Sequence, residues 1–283
     1  MPFRYSYDQL VYFGENISVS IDRVARFGYD AIEIVGEPDE YDGAQIRRLT
    51  EQAGIAVSSV CSIYTAERDL AHPDASVRAN ALAYVRRVAD FCAEMGAPTM
   101  IIGPTAVNKV QRLASPDDER KWAIEGIRAG GEYAAERGVN LTLECWNRYE
   151  TYWLNRLEQA RELWAEVGLS TGGIMGDTFH MNIEEASIAG AIRETGPLLN
   201  HIHLADSDRA APGHAHTDFL PILQALADID YQGYLTFELL PASADPFGVM
   251  KAGGATDFLD RYTEQAITRM KEIEAQVGAG ARS

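Results

Sequence analysis

The sequence predicts an α/β fold, a single-domain (β/α)8 TIM barrel with a C-terminal helix, and three observations lead to this prediction. Strand-like and helix-like stretches alternate eight times along the 283 residues. The strand-like stretches are short, apolar and β-branched, as parallel strands buried on both faces are. No composition shift or Pro/Gly/Ser-rich linker divides the chain. We therefore expect one barrel over residues 1–278 and a frayed tail over residues 279–283.

Each predicted strand is followed by a helical pattern, and many of these helices end at a glycine. The predicted strands cover residues 3–7, 31–35, 55–61, 99–103, 140–145, 173–176, 200–204 and 234–239. The predicted helices cover residues 18–27, 45–53, 74–96, 115–138, 157–167, 183–194, 219–229 and 257–277. Asn182 is expected to cap the helix after strand six, with Glu184 and Glu185 in its first turn.

The helix between Asp74 and Gly96 has the clearest pattern. Asp74 stands in an N-cap position behind Pro73, and apolar residues recur at helical spacing as far as Gly96. Another long helix is expected to begin at Ser115, with Pro116 in its first position and acids in its first turn.

An open doubly wound sheet is the rival fold, but it usually carries a Gly-rich phosphate turn after its first strand, and this sequence has none.

Composition and charge restrict the partners that this chain can bind. The formal net charge is −17 at pH 7, with 25 Lys and Arg against 42 Asp and Glu. This balance opposes binding to nucleic acid or to anionic membranes, which are held largely by cationic side chains. Three well-separated cysteines indicate reduced thiols and no disulfide framework. Because the N-terminus lacks an apolar region and no apolar run reaches membrane-spanning length, we expect a soluble cytoplasmic protein.

Four consecutive predicted strands end in side chains that can bind a metal ion. In such a barrel the chemistry lies at the C-terminal ends of the strands. Strand five ends in Glu144, strand six in Asp177, strand seven in His203 and strand eight in Glu238. Charged side chains in apolar strands are costly unless they are paired or metal-bound, and three clustered carboxylates repel one another. A divalent cation removes both objections, and this donor set favours Mn²⁺, with Mg²⁺ or Co²⁺ as alternatives.

Spacing leaves the histidine ligand open between two residues. His201 and His203 lie on the same face of strand seven, because side chains two residues apart in a strand share a face. Either one can be the ligand, and the other is then a core histidine. Taken alone, Glu144 or Glu238 could instead pair with an arginine at the barrel mouth.

Further polar and aromatic residues surround these strand ends. His180, Glu150 and Arg209 are placed to bind hydroxyl and carbonyl oxygens of a polar ligand. Trp146 and its aromatic neighbours in the loop after strand five could stack on the apolar face of a sugar ring, although such aromatics are more often packing residues. The sequence therefore predicts a pocket for a polar small molecule beside the metal site.

Several segments resemble the sugar isomerase/epimerase superfamily of xylose-isomerase-like TIM barrels, and most of all the ketose 3-epimerases that act on tagatose and psicose. The segments that carry this resemblance are ECWNRYE (144–150), DTFHMNIEE (177–185), HIHLADSDR (201–209) and the glutamate of TFELLP (236–241). A weaker match covers RDLAHPDASVR (68–78). Order and spacing agree over most of the chain, so the resemblance reinforces the barrel.

The resemblance also implies roles for individual residues. It implies that Glu144, Asp177, His203 and Glu238 bind the metal, which favours His203 over His201. It further implies that Glu144 and Glu238 form the acid/base pair. Glu150, His180 and Arg209 match the groups that hold the substrate's oxygens near its carbonyl.

The chain departs from the family's pattern in segments that shape the substrate pocket. The segment after strand eight reads FELLPASADPF (237–247), where the family has a sequence like MEPF. In PGHAHTDF, Ala215 and Phe219 replace a glycine and a tryptophan, and Trp146 fills a place usually held by a smaller apolar residue. The loop at 104–112 is also unlike that of the epimerases. The metal site is thus more firmly predicted than the substrate.

The implied activity is metal-dependent removal of a proton next to a sugar carbonyl, as in a ketose 3-epimerase or isomerase that works through an enediolate. The same deprotonation could expel the leaving group of a 3-oxo-glycoside, as in the large subunits of C-glycoside deglycosidases, which act beside a small β-sandwich subunit. An apurinic-type endonuclease is a remote alternative, because its trinuclear zinc site needs more than six histidines and a basic face. A non-catalytic sugar-binding barrel is a fourth. We expect a homo-oligomer, or a hetero-oligomer with a small second subunit.

Overall fold

Eight parallel strands close into a barrel in chain order, and the last strand pairs with the first. The computed structural model describes residues 2–12, 14–241, 243, 249 and 256–280. The predicted TIM barrel is confirmed by this closure and by the helices that alternate with the strands. The strands are β1 Arg4–Asp8, β2 Ala31–Gly36, β3 Ala56–Ser62, β4 Thr99–Ile102, β5 Asn140–Glu144, β6 Gly173–Asp177, β7 Leu199–Leu204 and β8 Tyr234–Phe237.

The α-helices form the outer layer of the barrel. They are α1 Ile17–Arg26, α2 Gly43–Ala53, α3 Ala75–Met95, α4 Pro116–Ala135, α5 Leu157–Val167, α6 Thr178–Glu184, α7 Ile188–Thr195, α8 Phe219–Asp228 and α9 Thr256–Gly280. The last helix extends three residues past its predicted end at 277. Residues 281–283 of the predicted frayed tail, and most of the segment 242–247 that departs from the family's pattern, lie outside the described residues.

Residues of each strand alternate between two buried environments. In β2, Ile32 and Ile34 pack in the large core between the strands and the helices, whereas Val35 belongs to a separate small cluster. That cluster also contains Cys61, Ile101 and other residues from the same alternate positions. Because side chains of a strand point to opposite faces in turn, the second set lines the barrel interior, and the strand-end acids belong to it.

Two of the predicted helix starts are confirmed by their caps. The Asp74 side chain accepts a hydrogen bond from the backbone N–H of Ser76, and the helix ends at Gly96, which adopts φ +76°. Ser115 caps α4 with Pro116 in its first turn. Glycine at a positive φ lets the chain leave the helix without a Cβ clash, which explains why the glycines marked helix ends in the sequence.

The helix predicted over residues 183–194 is wrong in its start, because α7 covers that range only from Ile188 onward. The chain instead enters α6 directly after β6, with Asp177 as the N-cap, and Asn182 lies inside that helix. The backbone becomes extended at Glu185 before α7 begins, so Glu184 and Glu185 end one helix and do not open another. The physical reason is that the Asp177 carboxylate accepts a backbone N–H of the first turn, which lets a helix start at the strand tip.

Within the described residues, no helix combines the length and the apolar character needed to cross a bilayer. The three cysteines are free and buried.

Candidate active site

Four buried side chains from consecutive strands converge at the C-terminal mouth of the barrel. Glu144 ends β5, Asp177 ends β6, His203 lies in β7 and Glu238 follows β8 directly. One potential ligand atom of each lies within 4.8 Å of those of the other three. The strand register produces this convergence, because Asp177 of β6 pairs with His203 of β7. Three carboxylates and one imidazole at such distances match the hard, oxygen-rich coordination that Mn²⁺ or Mg²⁺ prefers.

The two glutamates of this group occupy different electrostatic environments. Burial, together with the nearby charges of Glu238 and Asp177, raises the pKa of Glu144 to about 8 against the opposing charge of His203. Burial would also raise the pKa of Glu238, but Arg209 and His203 hold it well below its usual range. Carboxyl groups whose pKa values are driven apart in one site are typical of acid/base pairs.

Sequence reasoning missed an additional carboxylate behind this group. Glu33 of β2 is fully buried, and its Oε1 lies 2.7 Å from His203 Nε2. Its Oε2 lies 2.9 Å from His201 Nε2 and accepts a hydrogen bond from Ser59. The signal was present, because an acid inside the apolar strand AIEIVG is as costly as the acids at the predicted strand ends. These contacts place His201 beside Glu33 and outside the group of four.

Histidine 203 thus lies between two carboxylates. Its Nδ1 is 2.7 Å from Glu238 Oε2, and its Nε2 faces Glu33. Burial opposes protonation of the ring, but Glu33 and Glu238 together raise the pKa of His203 well above its usual range. A cation that binds Nδ1 therefore competes with a proton there.

Asp8, at the end of β1, extends the acidic arc to the other side of β8. It is fully buried and pairs in register with Glu33. Its Oδ1 accepts the backbone N–H of Leu10 at 2.8 Å, whereas its Oδ2 has no hydrogen-bond partner in the described part of the chain. Burial raises the pKa of Asp8 well above its usual range, and Glu33 and Glu238 raise it further.

Arg209 reaches the site from the loop after β7. Its guanidinium donates to Asp177 Oδ2 and forms an ion pair with Glu238 Oε2 at 2.6 Å. Arg209 itself adopts φ +64°, which is uncommon for a residue with a side chain. The Asp206 carboxylate holds this loop by accepting four backbone N–H groups. The loop therefore places the positively charged guanidinium of Arg209 against Asp177 and Glu238, two of the four converging side chains.

The predicted pocket residues His180 and Glu150 are joined by a residue that sequence reasoning did not single out. The Asn147 amide nitrogen is 2.8 Å from His180 Nδ1 and donates to Glu150 Oε1 at 2.8 Å. His180 Nε2 lies 3.9 Å from Asp177 Oδ2. Burial lowers the pKa of His180, which favours the neutral form of its ring. This group lies next to the four converging residues and offers both hydrogen-bond donors and acceptors.

Trp146 is buried and packs closely between β4 and β5. A Cβ at Gly103 would meet its ring at 2.1 Å, so only glycine leaves room for the indole. Its ring also contacts Tyr64, and the Trp146 side chain lowers the pKa of Glu144.

Comparison with known proteins finds sugar epimerases among the relatives of this chain. A family model described as a xylose isomerase-like TIM barrel matches residues 21–262. A 3-dehydro-D-guloside 4-epimerase from Escherichia coli is 30% identical over 83% of this chain and 91% of its own. A D-psicose 3-epimerase from Agrobacterium fabrum is 32% identical over 77% of each chain.

The structural comparison agrees with the sequence comparison. A D-psicose 3-epimerase from Clostridium cellulolyticum, solved with D-tagatose, superposes with a TM-score of 0.87 at 26% identity. The match covers 96% of this chain and 99% of that one.

Proposed function

We propose a function from one premise: the chain belongs to the xylose isomerase-like TIM barrel family. The protein is an enzyme that uses a divalent cation, Mn²⁺ or alternatively Mg²⁺ or Co²⁺, to remove a proton next to the carbonyl of a sugar. Its reaction is ketose 3-epimerisation. The observation that carries this proposal is the convergence of Glu144, Asp177, His203 and Glu238 within 4.8 Å at the barrel mouth.

The donor set supports a cation at this position. Three of the four side chains are acids, and all four are buried. Arg209 supplies an adjacent permanent positive charge, and its guanidinium pairs with Asp177 and Glu238. Buried carboxylates that repel one another are stabilised by a divalent ion more than by a single guanidinium. Glu144, Asp177, His203 and Glu238 would hold the ion.

The residues of this site divide the work of the reaction. A bound divalent cation acts as a Lewis acid that makes the hydrogen next to the carbonyl acidic. Glu144 lies at the end of β5 and Glu238 lies directly after β8, with β6 and β7 between them. One takes the proton from one face of the sugar carbon, and the other returns a proton to the opposite face, which inverts the centre. Return of the proton at the neighbouring carbon would give isomerisation.

The remaining polar residues hold the sugar. Arg209 and His180 donate hydrogen bonds to substrate oxygens, and Glu150, which Asn147 holds, accepts them from hydroxyl groups. Asn147 fixes His180 and Glu150 relative to each other. Trp146 excludes water from the side of Glu144 that faces β4 and can contact the substrate's apolar face.

A second candidate acts on an oxidised glycoside. The E. coli relative that is 30% identical over 83% of this chain is a 3-dehydro-D-guloside 4-epimerase. With a 3-oxo-glycoside, the same proton abstraction either inverts a neighbouring centre or expels the aglycone, as a C-glycoside deglycosidase with a small second subunit would do. The segments after β4 and β8 depart from the sequence pattern of the ketose 3-epimerases, and this departure supports the second candidate.

One experiment separates the two candidates. Mn²⁺-loaded protein is incubated in D₂O with free ketoses and, separately, with 3-oxo-glycosides, and the products are followed by NMR. An inverted, deuterated ketose supports 3-epimerisation. Turnover of the 3-oxo-glycosides alone favours the second candidate, and released aglycone identifies it as a lyase. Sugars that stay unchanged and undeuterated in both arms overturn the proposal.

A further inference from the structure

We propose that Glu33 is a positioning residue that orients His203 toward the cation site, and that His201 and Ser59 hold Glu33 in place. The inference rests on the proposed function, because it concerns how one ligand of the cation is prepared. Glu33 was not a predicted site residue, and it does not belong to the group of four.

The two ring nitrogens of His203 face different partners. Its Nδ1 faces the converging carboxylates, 2.7 Å from Glu238 Oε2 and 3.9 Å from Asp177 Oδ2. Its Nε2 faces away from them, 2.7 Å from Glu33 Oε1. A cation binds an imidazole nitrogen through its lone pair, so the ring proton has to stay on the other nitrogen. An ionised carboxylate only accepts, and Glu33 therefore keeps the proton on Nε2 and the lone pair on Nδ1.

His201 and Ser59 hold the Glu33 carboxylate in one orientation. Its other oxygen, Oε2, lies 2.9 Å from His201 Nε2 and also accepts from the Ser59 hydroxyl. All three side chains are buried, and the two histidine rings contact each other edge to face with centroids 5.2 Å apart. The carboxylate cannot rotate without breaking one of these bonds, so its Oε1 remains aimed at His203.

This arrangement gives the two histidines of β7 different tasks. His203 offers a nitrogen to the group of four, whereas His201 has its Nε2 on Glu33. Both oxygens of Glu33 are within hydrogen-bond distance of imidazole nitrogens, which leaves Glu33 to act on the cation site through His203. Carboxylates that orient a ligating histidine typically change metal affinity by about 10- to 100-fold when they are replaced.

Glu33→Gln tests the proposal, because an amide has one accepting oxygen and cannot accept from both histidines. We expect the Mn²⁺ dissociation constant, measured by calorimetry, to rise by about 10- to 100-fold while circular dichroism shows the barrel intact. Glu37→Gln is the matched control, because Glu37 lies four residues on and pairs with Arg68. We expect it to bind Mn²⁺ as the wild type does. A folded Glu33→Gln protein that binds Mn²⁺ within about threefold of the wild-type affinity overturns the inference.

If Glu33→Gln does not fold, a measurement on the wild-type protein tests the inference. With diamagnetic Zn²⁺ as the probe, long-range ¹H–¹⁵N NMR identifies which His203 nitrogen carries the proton. We expect a protonated Nε2 and a metal-bound Nδ1, and the reverse assignment overturns the inference. If the wild type binds neither Mn²⁺ nor Zn²⁺, the proposed function fails, which is a different result from normal binding by Glu33→Gln.

Discussion

Replacing Asp206 by asparagine tests how the loop that carries Arg209 is held. Asp206 is fully buried, and its two carboxylate oxygens accept four backbone N–H groups of the same loop. Oδ1 accepts from Ser207 at 2.7 Å and Thr217 at 2.9 Å, and Oδ2 accepts from Gly213 at 2.9 Å and Ala215 at 3.0 Å. Asparagine has the same shape, but it offers one oxygen and one NH₂ group, so two of the four N–H groups lose their acceptor and face a donor.

The expected cost follows from these four bonds. A hydrogen bond to a charged group contributes about 1.5–3 kcal/mol, so losing two lowers the free energy of unfolding by about 3–6 kcal/mol. The displaced loop should also weaken substrate binding, because Arg209 adopts its left-handed conformation only while the loop is held. We therefore expect a higher KM together with the lower stability.

Urea unfolding at pH 7 measures the stability change, with Asp208→Asn as the matched control from the same loop. Asp208 is exposed, accepts from Ala210 and pairs with His214, so its replacement should cost less than about 1 kcal/mol. Equal losses for the two variants, or an Asp206→Asn protein as stable as the wild type, would refute the reasoning.

The pH dependence supplies a second check on Asp206. Burial alone would raise its pKa, but the backbone N–H groups of Thr217, Ala215 and Ser207 lower it. Because the folded-state pKa lies below the unfolded value of about 3.9, the stabilisation is present above that value and is lost as the pH falls through the folded pKa. The stability difference between wild type and Asp206→Asn should therefore shrink in acid.

Three further predictions follow from the barrel mouth. The pKa of Glu144 is raised to about 8, so a cation competes with its proton at lower pH. Calorimetry should therefore show an Mn²⁺ affinity about 100-fold weaker at pH 6 than above pH 8. An Mn²⁺ affinity that does not depend on pH would contradict this prediction. Asp8→Asn should raise the free energy of unfolding at pH 8 by about 1–3 kcal/mol, because it removes a buried carboxylate charge whose raised pKa makes ionisation costly above the unfolded value of about 3.9. A gain that is absent at pH 8, or that is equally large below pH 4, would argue against it. Gly103→Ala should lower the free energy of unfolding by about 1–3 kcal/mol, because the new Cβ would clash with the Trp146 indole. The displaced indole should disturb Glu144 and change the tryptophan fluorescence. Unchanged fluorescence and unchanged stability would show that the indole has room to move.

The fold was predictable because its signals are local and repeated. Eight alternations of buried strand and helix, with caps such as Asp74 and Ser115, can be read without tertiary information. The break between α6 and α7 was not predictable from periodicity, because it depends on Asp177 serving both as a strand end and as a helix cap. A residue with two roles defeats an argument that assigns one role to each position.

The candidate site was predictable where acids end apolar strands, as at Glu144 and Glu238. Glu33 and Asp8 give a similar signal on β2 and β1, yet the closure that makes β1 a neighbour of β8 is a tertiary fact. Strand spacing likewise could not separate His201 from His203, since both face the barrel interior, and the resemblance alone favoured His203. In the structure Glu33, on a strand distant in sequence, contacts both rings, and of the two histidines His203 belongs to the group of four.

The most direct test of the central claim is the uptake of solvent deuterium by the sugar carbon next to the carbonyl. Wild-type protein loaded with Mn²⁺ is compared in D₂O with chelator-treated protein and with Glu144→Gln, using D-tagatose and a 3-oxo-glucoside. The account predicts deuterium in at least one sugar with the loaded wild type, none after chelation or in the variant, and recovery when Mn²⁺ is returned to the wild type. Equal deuterium uptake with and without the cation, or full uptake by Glu144→Gln, would contradict it.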